Sequence, residues 1–280
     1  CLLPFHSLCL SVLRVEQIRK SLNQVNQFSE VPNEFERSRG RARMEDLSGA
    51  VSLVHLGFRA ADTRPLFVGL DLEIQPGEVV GLYGPAGTGK SIILKMMLGM
   101  MEVGLGVIRL DGVDIRQFSV EELRRRISYI PQQLSLLPGT LRDNLLFADP
   151  LASDQSLNEI LRLVGLEDDI SRLPNGLDHL ITADDSRSFS DEFRLSIGFA
   201  RALLTNSKLI LIDEFPNSVM EGKLGALLRR LVADFRGHRT IIFVSHRADF
   251  LGEADRIVEL TYGGVPRILA GRHVRNARRA

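Results

Sequence analysis

The chain has 280 residues, 44% of them hydrophobic and 25% charged, and its 35 basic side chains balance 35 acidic ones. That is an ordinary globular composition with room for one large domain or two small ones. A nucleic-acid binder would carry a basic excess, and the two cysteines, Cys1 and Cys9, make neither a disulfide framework nor a metal site and suit a reducing compartment.

The chain opens on Cys1 rather than Met, as expected of a piece of something longer. Residues 1–13 are apolar but interrupted by Pro4 and His6, too short for the roughly 20 residues that cross a bilayer. No basic region precedes them, so they do not read as a signal peptide. Val15, Ile18, Leu22, Val25 and Phe28 then recur at helical steps, before Pro32 and the charged run 34–46. Residues 1–28 are read as one helix leaving a membrane, with 31–46 as a linker, or else as a helix packed on the domain that follows.

Residues 51–58 and 66–74 alternate or run apolar, as strands do. Gln75-Pro76-Gly77-Glu78 is a turn, residues 79–83 a short buried strand, and 92–101 a helix. Residues 107–110 with Asp111-Gly112 suggest another strand and a tight turn. From about 120 to 204 the pattern is mostly helical, broken at Pro131, Pro138-Gly139, Pro150 and Pro174. Residues 209–212 and 240–244 are buried strands, the second taken as the last core strand, with a helix at about 224–235 between them. Strands alternating with helices imply a parallel sheet covered on both faces. Residues 270–280, with Arg272, Arg275, Arg278 and Arg279, are read as a solvated basic tail.

Between the strand at 79–83 and the next helix stands Gly84-Pro85-Ala86-Gly87-Thr88-Gly89-Lys90-Ser91, which matches G-x-x-x-x-G-K-[ST] in the required context. Glycines let backbone N–H groups curl around phosphate oxygens, and the helix adds its positive N-terminal end. Lys90 would reach the β- and γ-phosphates of ATP, and the Ser91 hydroxyl would hold Mg²⁺. The buried strand 209–212 runs into Asp213-Glu214. In open α/β sheets ligands bind at that end of the strands. An acid pair is expected there at an exposed edge, Asp213 holding Mg²⁺ through water and Glu214 orienting or deprotonating the attacking water; the alternative is a pair of acids capping the next helix.

With these motifs in place the chain resembles the ATPase domain of ABC transporters, of the exporter type, over roughly residues 47–269. Tyr129-Ile130-Pro131-Gln132, followed by Pro138-Gly139-Thr140-Leu141-Arg142-Asp143-Asn144-Leu145, looks like the exporter Q-loop and its sequel. Val244-Ser245-His246 looks like the switch-histidine loop. The resemblance implies an α/β P-loop NTPase fold with a mostly parallel core sheet. It also implies an N-terminal antiparallel β subdomain and an inserted helical subdomain at about 133–200. It makes Gln132 a Mg²⁺ ligand that senses the transmembrane part, and His246 a contact of the γ-phosphate. It makes residues 1–46 the end of the last transmembrane helix and its linker, as in fused half-transporters. The stretch from Pro4 to Arg37 is similar to type I secretion exporters. The partners implied are an upstream transmembrane domain and a second ATPase domain, at the cytoplasmic face of the plasma (inner) membrane, and no nucleic acid.

Three places depart from the family. Ala60 stands where many exporters place a ring that stacks on adenine, a loss worth on the order of 1–3 kcal/mol of nucleotide affinity. The LSGGQ signature reads Phe189-Ser190-Asp191-Glu192-Phe193, and the SALD loop reads Asn217-Ser218-Val219-Met220. In the family the signature closes over the partner's ATP, so Asp191 and Glu192 are expected to bring bulk and negative charge to its γ-phosphate, unless they turn into solvent. A heterodimer with one strong and one weak site follows as an expectation. The competing readings are a chromosome-maintenance or DNA-repair clamp, against which the short stretch between Ser91 and Asp213 carries no sustained heptads, and an ATP-binding regulatory module with little hydrolysis.

Overall fold

The computed structural model describes residues 47–59, 64–182 and 188–271. The expectations placed on residues 1–46, on Ala60 and on Arg272, Arg275, Arg278 and Arg279 lie outside the described residues. Among those described, no helix is long and apolar enough to cross a membrane.

Strands β1 (Val51–Arg59) and β2 (Pro65–Ile74) pair antiparallel. Strand β3 (Val79–Tyr83) leads into the glycine-rich loop, from which helix α1 (Lys90–Met97) emerges. The helix stops four residues before the expected Met101 because the backbone turns left-handed at Gly99, φ 64°, which lets the amides of Gly99 and Met100 bond back to the carbonyls of Met96 and Lys95. Strands β4 (Leu105–Leu110) and β5 (Val113–Asp114) complete a four-stranded antiparallel sheet in the order β2-β1-β4-β5.

Helix α2 (Val120–Arg126) is capped by Ser119, whose hydroxyl accepts the Glu122 amide at 3.1 Å. Glu121 and Glu122 at its start and Arg124–Arg126 at its end suit the helix dipole. The residues that follow correct the mostly helical reading, since Ile127–Ile130 form a strand, β6. A short antiparallel pair, β7 (Gly139–Thr140) and β8 (Leu180–Ile181), brackets helices α3 (Leu141–Leu146), α4 (Asp154–Leu163) and α5 (Glu167–Ser171). Helix α6 (Asp191–Leu204) closes this helical region. Arg201 ties α6 to α3 through the carbonyl of the buried Asn144, at 2.6 Å, and its side-chain oxygen, at 2.8 Å.

Strand β9 (Leu209–Ile212), helices α7 (Asn217–Glu221) and α8 (Lys223–Phe235), strand β10 (Thr240–Val244) and helix α9 (Ala248–Leu251) follow. Strand β10 is not the last core strand. Strands β11 (Arg256–Glu259) and β12 (Arg267–Ala270) extend the sheet, giving the order β12-β11-β3-β10-β9-β6, parallel except for the edge pair β11-β12.

The central strands are buried on both faces, which explains their continuous apolar runs. Ile210, Ile212, Ile241, Phe243 and Ile257 pack with the helical region and α8. Their neighbours Leu209, Leu211, Ile242, Val244 and Val258 pack with α1 and the antiparallel sheet. One parallel sheet is thereby shared by two apolar cores, and the carboxyl ends of β3, β9 and β10 lie side by side.

Candidate active site

Strand β3 delivers the chain to Gly84, whose φ is 144° and where a Cβ would fall 2.3 Å from the Leu260 carbonyl. Gly89, φ 98°, starts α1, and a Cβ there would fall 2.9 Å from the Phe67 ring. Only glycine fits either position, so the loop backbone closes tightly at both ends and meets a helix N-terminus. Thr88, wholly buried, donates its hydroxyl to the Pro85 carbonyl at 3.0 Å and braces the turn. The first residue of α1, Lys90, is 5% exposed and donates from Nζ to the carbonyls of Gly84, at 2.7 Å, and Pro85, at 2.8 Å. Burial pushes its pKa down while the carboxylates of Glu214 and Asp213 pull it up. A desolvated cation beside a cradle with no Cβ in the way fits a polyphosphate.

Asp213 follows β9 and is only 4% exposed, which corrects the expectation of an acid at an exposed strand edge. Its amide continues the sheet by donating to the Ile130 carbonyl at 2.9 Å. Its carboxylate accepts the Ser91 hydroxyl at 2.7 Å, the Tyr129 hydroxyl at 3.1 Å and the Glu214 amide at 2.9 Å. Three donors thus satisfy the oxygens of a carboxylate that is shielded from water. Sequence reasoning passed over Tyr129 as part of the Q-loop motif. What brings it to the acid is its place on β6, paired with β9, which no local spacing marks. Burial first, then the charge of Asp213, pushes the phenol's pKa up, so it stays a donor.

Glu214 and His246 stand at the ends of the adjacent parallel strands β9 and β10, and His246 Nε2 lies 3.1 Å from Glu214 Oε2. The Tyr83 ring meets His246 edge-on at 6.4 Å between centroids. The acid pair does not cap the following helix, since α7 starts after Pro216 with no side-chain cap. Arg247, next in the chain, fastens the His246 loop by bonds to Glu221 at 3.0 Å and to the two Asp249 oxygens at 3.1 and 3.0 Å. Gln132 is exposed, two residues beyond β6, and does not join the hydrogen bonds around Asp213.

The altered signature segment opens α6. Ser190 caps it by accepting the Phe193 amide at 3.1 Å, and Phe189 stacks on Phe193 at 4.8 Å. Asp191 is exposed and pairs with Arg194 at 2.5 Å. The Glu192 carboxylate turns toward its own chain and accepts the Leu224 amide at 3.2 Å. In the other altered segment, Asn217 and Ser218 are exposed on α7 while Val219 and Met220 are buried.

Among the described residues, no group of three or more His, Cys, Asp or Glu could hold a metal ion. The Ser91 hydroxyl and the Asp213 carboxylate are both hard oxygen donors and fit Mg²⁺, an ion that keeps waters and phosphate oxygens as its remaining ligands. The Glu214–His246 pair offers a carboxylate and an imidazole at the same sheet edge, with the Glu214 charge felt by Lys90.

The chain is similar to known proteins in sequence and in fold. The ABC transporter family profile matches residues 67–217. The chain is 35% identical over 214 residues to the mycobactin import ATP-binding/permease protein IrtA of Mycolicibacterium smegmatis, covering 75% of this chain and 24% of that protein. It is 31% identical over 251 residues to the vacuolar heme ABC transmembrane exporter abc3 of Schizosaccharomyces pombe, covering 89% of this chain and 17% of that one. The structure of a bacterial Atm1-family ABC exporter with ATP bound has the same fold, with a TM-score of 0.77 at 20% identity, covering 95% of this chain and 48% of its own. The chain thus spans less than half the length of each.

Proposed function

The chain belongs to the ABC transporter family, and from that premise we propose that it is the ATP-binding and ATP-hydrolysing domain of an exporter-type transporter. Closure of two such domains on ATP would be coupled to passage of a substrate across a membrane. The observation that carries this reading is the convergence of three strand ends. Lys90 and Ser91 from the β3–α1 loop, Asp213 and Glu214 after β9, and His246 after β10 stand along one edge of the sheet, joined by the Ser91–Asp213 and Glu214–His246 contacts.

Residues 84–90 bind the ATP phosphates through backbone amides and the Lys90 ammonium. Ser91 and Asp213 hold Mg²⁺, Asp213 through water, and Gln132 adds a ligand from the β6 end. The ion, when bound, neutralises charge on the β- and γ-phosphates. Glu214 orients or deprotonates the attacking water, and His246, paired with it at 3.1 Å, contacts the γ-phosphate.

The partner is a second ATPase domain, with a transmembrane domain of the same transporter placing this one on the cytoplasmic face of the plasma (inner) membrane. Relatives named for mycobactin import and for heme export share this domain, so direction and cargo belong to the membrane part. The finer likeness to type I secretion exporters rests on residues before Leu47, outside those described. The altered residues 189–193 and 217–220 favour a heterodimer, in which a partner with an intact signature completes the site on this chain's loop.

The test is calorimetric titration of Mg·ATP with phosphate release measured in parallel. Wild type should bind, and Lys90→Ala should lose binding. Equal affinity in the two would defeat the proposal.

A further inference from the structure

The turn between β11 and β12 places a large ring at the mouth of the glycine-rich loop. Tyr262 is 63% exposed, yet its hydroxyl donates to the carbonyl of Ala86, inside that loop. The ring passes close over Gly87, where a Cβ would lie 3.4 Å from the hydroxyl and 3.9 Å from Cε1. The turn carrying it is fixed on three sides. The Leu260 amide bonds the Tyr83 carbonyl at 2.8 Å, the Gly263 amide bonds Leu66 at 2.9 Å, and the Val68 amide bonds the Gly264 carbonyl at 3.2 Å. Two of these partners, Leu66 and Val68, lie on β2.

Sheet order decides which end of a nucleotide this ring would meet. Strand β3 lies between β10 and β11. Glu214 and His246, the groups that would act on the terminal phosphate, stand beyond β9 and β10 on one side of it. A nucleotide with its phosphates in the loop and its terminal phosphate toward that pair extends its sugar and base to the other side. That is the side of β11 and of Tyr262. An exposed aromatic ring on a fixed turn is a stacking surface, and every base has a π-face to lay on it.

We propose that Tyr262 is the platform on which the nucleotide base stacks. The proposal rests on the ATP-binding reading and adds a residue of its own to it. Stacking of this kind is worth about 5- to 100-fold in affinity per base. It tolerates any base, so ATP and GTP should depend on the ring alike, whereas inorganic tripolyphosphate should not depend on it.

The experiment is calorimetric titration of Mg·ATP, Mg·GTP and Mg·tripolyphosphate into the full chain and its variants. Tyr262→Ala should bind both nucleotides about 5- to 100-fold more weakly and tripolyphosphate as wild type does. Tyr262→Phe should keep the wild-type affinities, and Tyr262→Leu, which retains bulk without a π-face, should behave as the Ala variant. Nucleotide affinity unchanged in Tyr262→Ala, with Lys90→Ala unable to bind, would overturn the platform and leave the ATP-binding reading standing. A matching loss of tripolyphosphate would reduce Tyr262 to a brace for the loop and also overturn it. A wild-type chain that binds none of the three ligands would remove the ATP-binding reading, and the platform with it.

Discussion

The Glu192 carboxylate accepts a hydrogen bond from the Leu224 backbone amide at 3.2 Å, joining the first turn of α6 to the first turn of α8. Helix α8 has no cap of its own, because the residue before it is Gly222. A Cβ at that glycine would lie 3.1 Å from the same carboxylate oxygen. Glu192 therefore satisfies one of the amides every helix start leaves open, and places a negative charge at the positive end of the dipole. Glu192→Ala should lose about 1 kcal/mol, the usual cost of a missing N-terminal cap. In a domain of this size that is about 2–4 °C of melting temperature. Calorimetry showing equal midpoints would mean that water caps α8 as well.

Tyr129→Phe removes one of three donors to the buried Asp213 and keeps the ring. A hydrogen bond to a charged group contributes about 1.5–3 kcal/mol. The Ser91 hydroxyl and the Glu214 amide remain at 2.7 and 2.9 Å, so the lower end is expected. Urea denaturation measures it, and a midpoint equal to wild type would show that Tyr129 does not support the acid.

Much of this was legible in the residues. The glycine-rich loop, the strand ending in Asp213 and Glu214, and the strand before His246 are contiguous motifs whose residue types are tied to their geometry. Strand β6 was not legible, since Ile127–Ile130 directly follows a helix and is only four residues long. What makes it a strand is β9 beside it, a partner 82 residues later at Ile127–Leu209. Strands β11 and β12 are as short, and β12 is exposed along its length, so no apolar pattern marked it. The contacts of Tyr129, Glu192 and Tyr262 escaped for the same reason. Each joins segments far apart in the chain, and no local spacing records such a contact.

Glu214→Gln removes a charge and keeps a shape. Its amide can still lie beside His246, so ATP affinity should stay within about twofold of wild type, while phosphate release should fall by about 10²–10⁴, the usual contribution of a positioned acid or base. The assay needs a partner that permits closure. Normal phosphate release from the variant would exclude Glu214 as the acting carboxylate.

Arg247 holds the Asp249 carboxyl below its ordinary value of 3.8, chiefly through their hydrogen bonds. A depressed carboxylate stabilises the fold fully above the unfolded value and ceases to do so as pH falls through the folded one. Arg247→Gln should therefore lower the urea midpoint at pH 7, with the difference from wild type shrinking as pH drops below about 3.8. A difference that stays constant between pH 7 and pH 3 would show that the pair contributes through packing alone.

The last expectation concerns the two acids of the altered signature. The segments that serve this chain's own nucleotide, residues 84–91, Gln132, Asp213, Glu214 and His246, keep the family's residue types. Those turned in the family toward the partner's nucleotide, residues 189–193 and 217–220, do not. Ala60 does not follow that division. Because Glu192 is held by the Leu224 amide of its own chain, we propose that Asp191 is the acid that would act at a partner's phosphate. That acid is exposed on the first turn of α6 and is only partly offset by Arg194 at 2.5 Å. The two substitutions should then separate. Asp191→Gly should raise the ATPase rate of the chain assayed alone, since the proposed homodimer geometry would set this acid over both sites. Glu192→Gly should lower the melting temperature, by loss of the α8 cap, with little gain in rate. A partner carrying an intact LSGGQ should raise the rate further, because it completes the site built on Lys90 and Glu214, and Glu214→Gln in this chain should abolish that gain. If the unaltered chain alone hydrolyses ATP as fast as Asp191→Gly does, both signatures are competent and the asymmetric heterodimer is the wrong account.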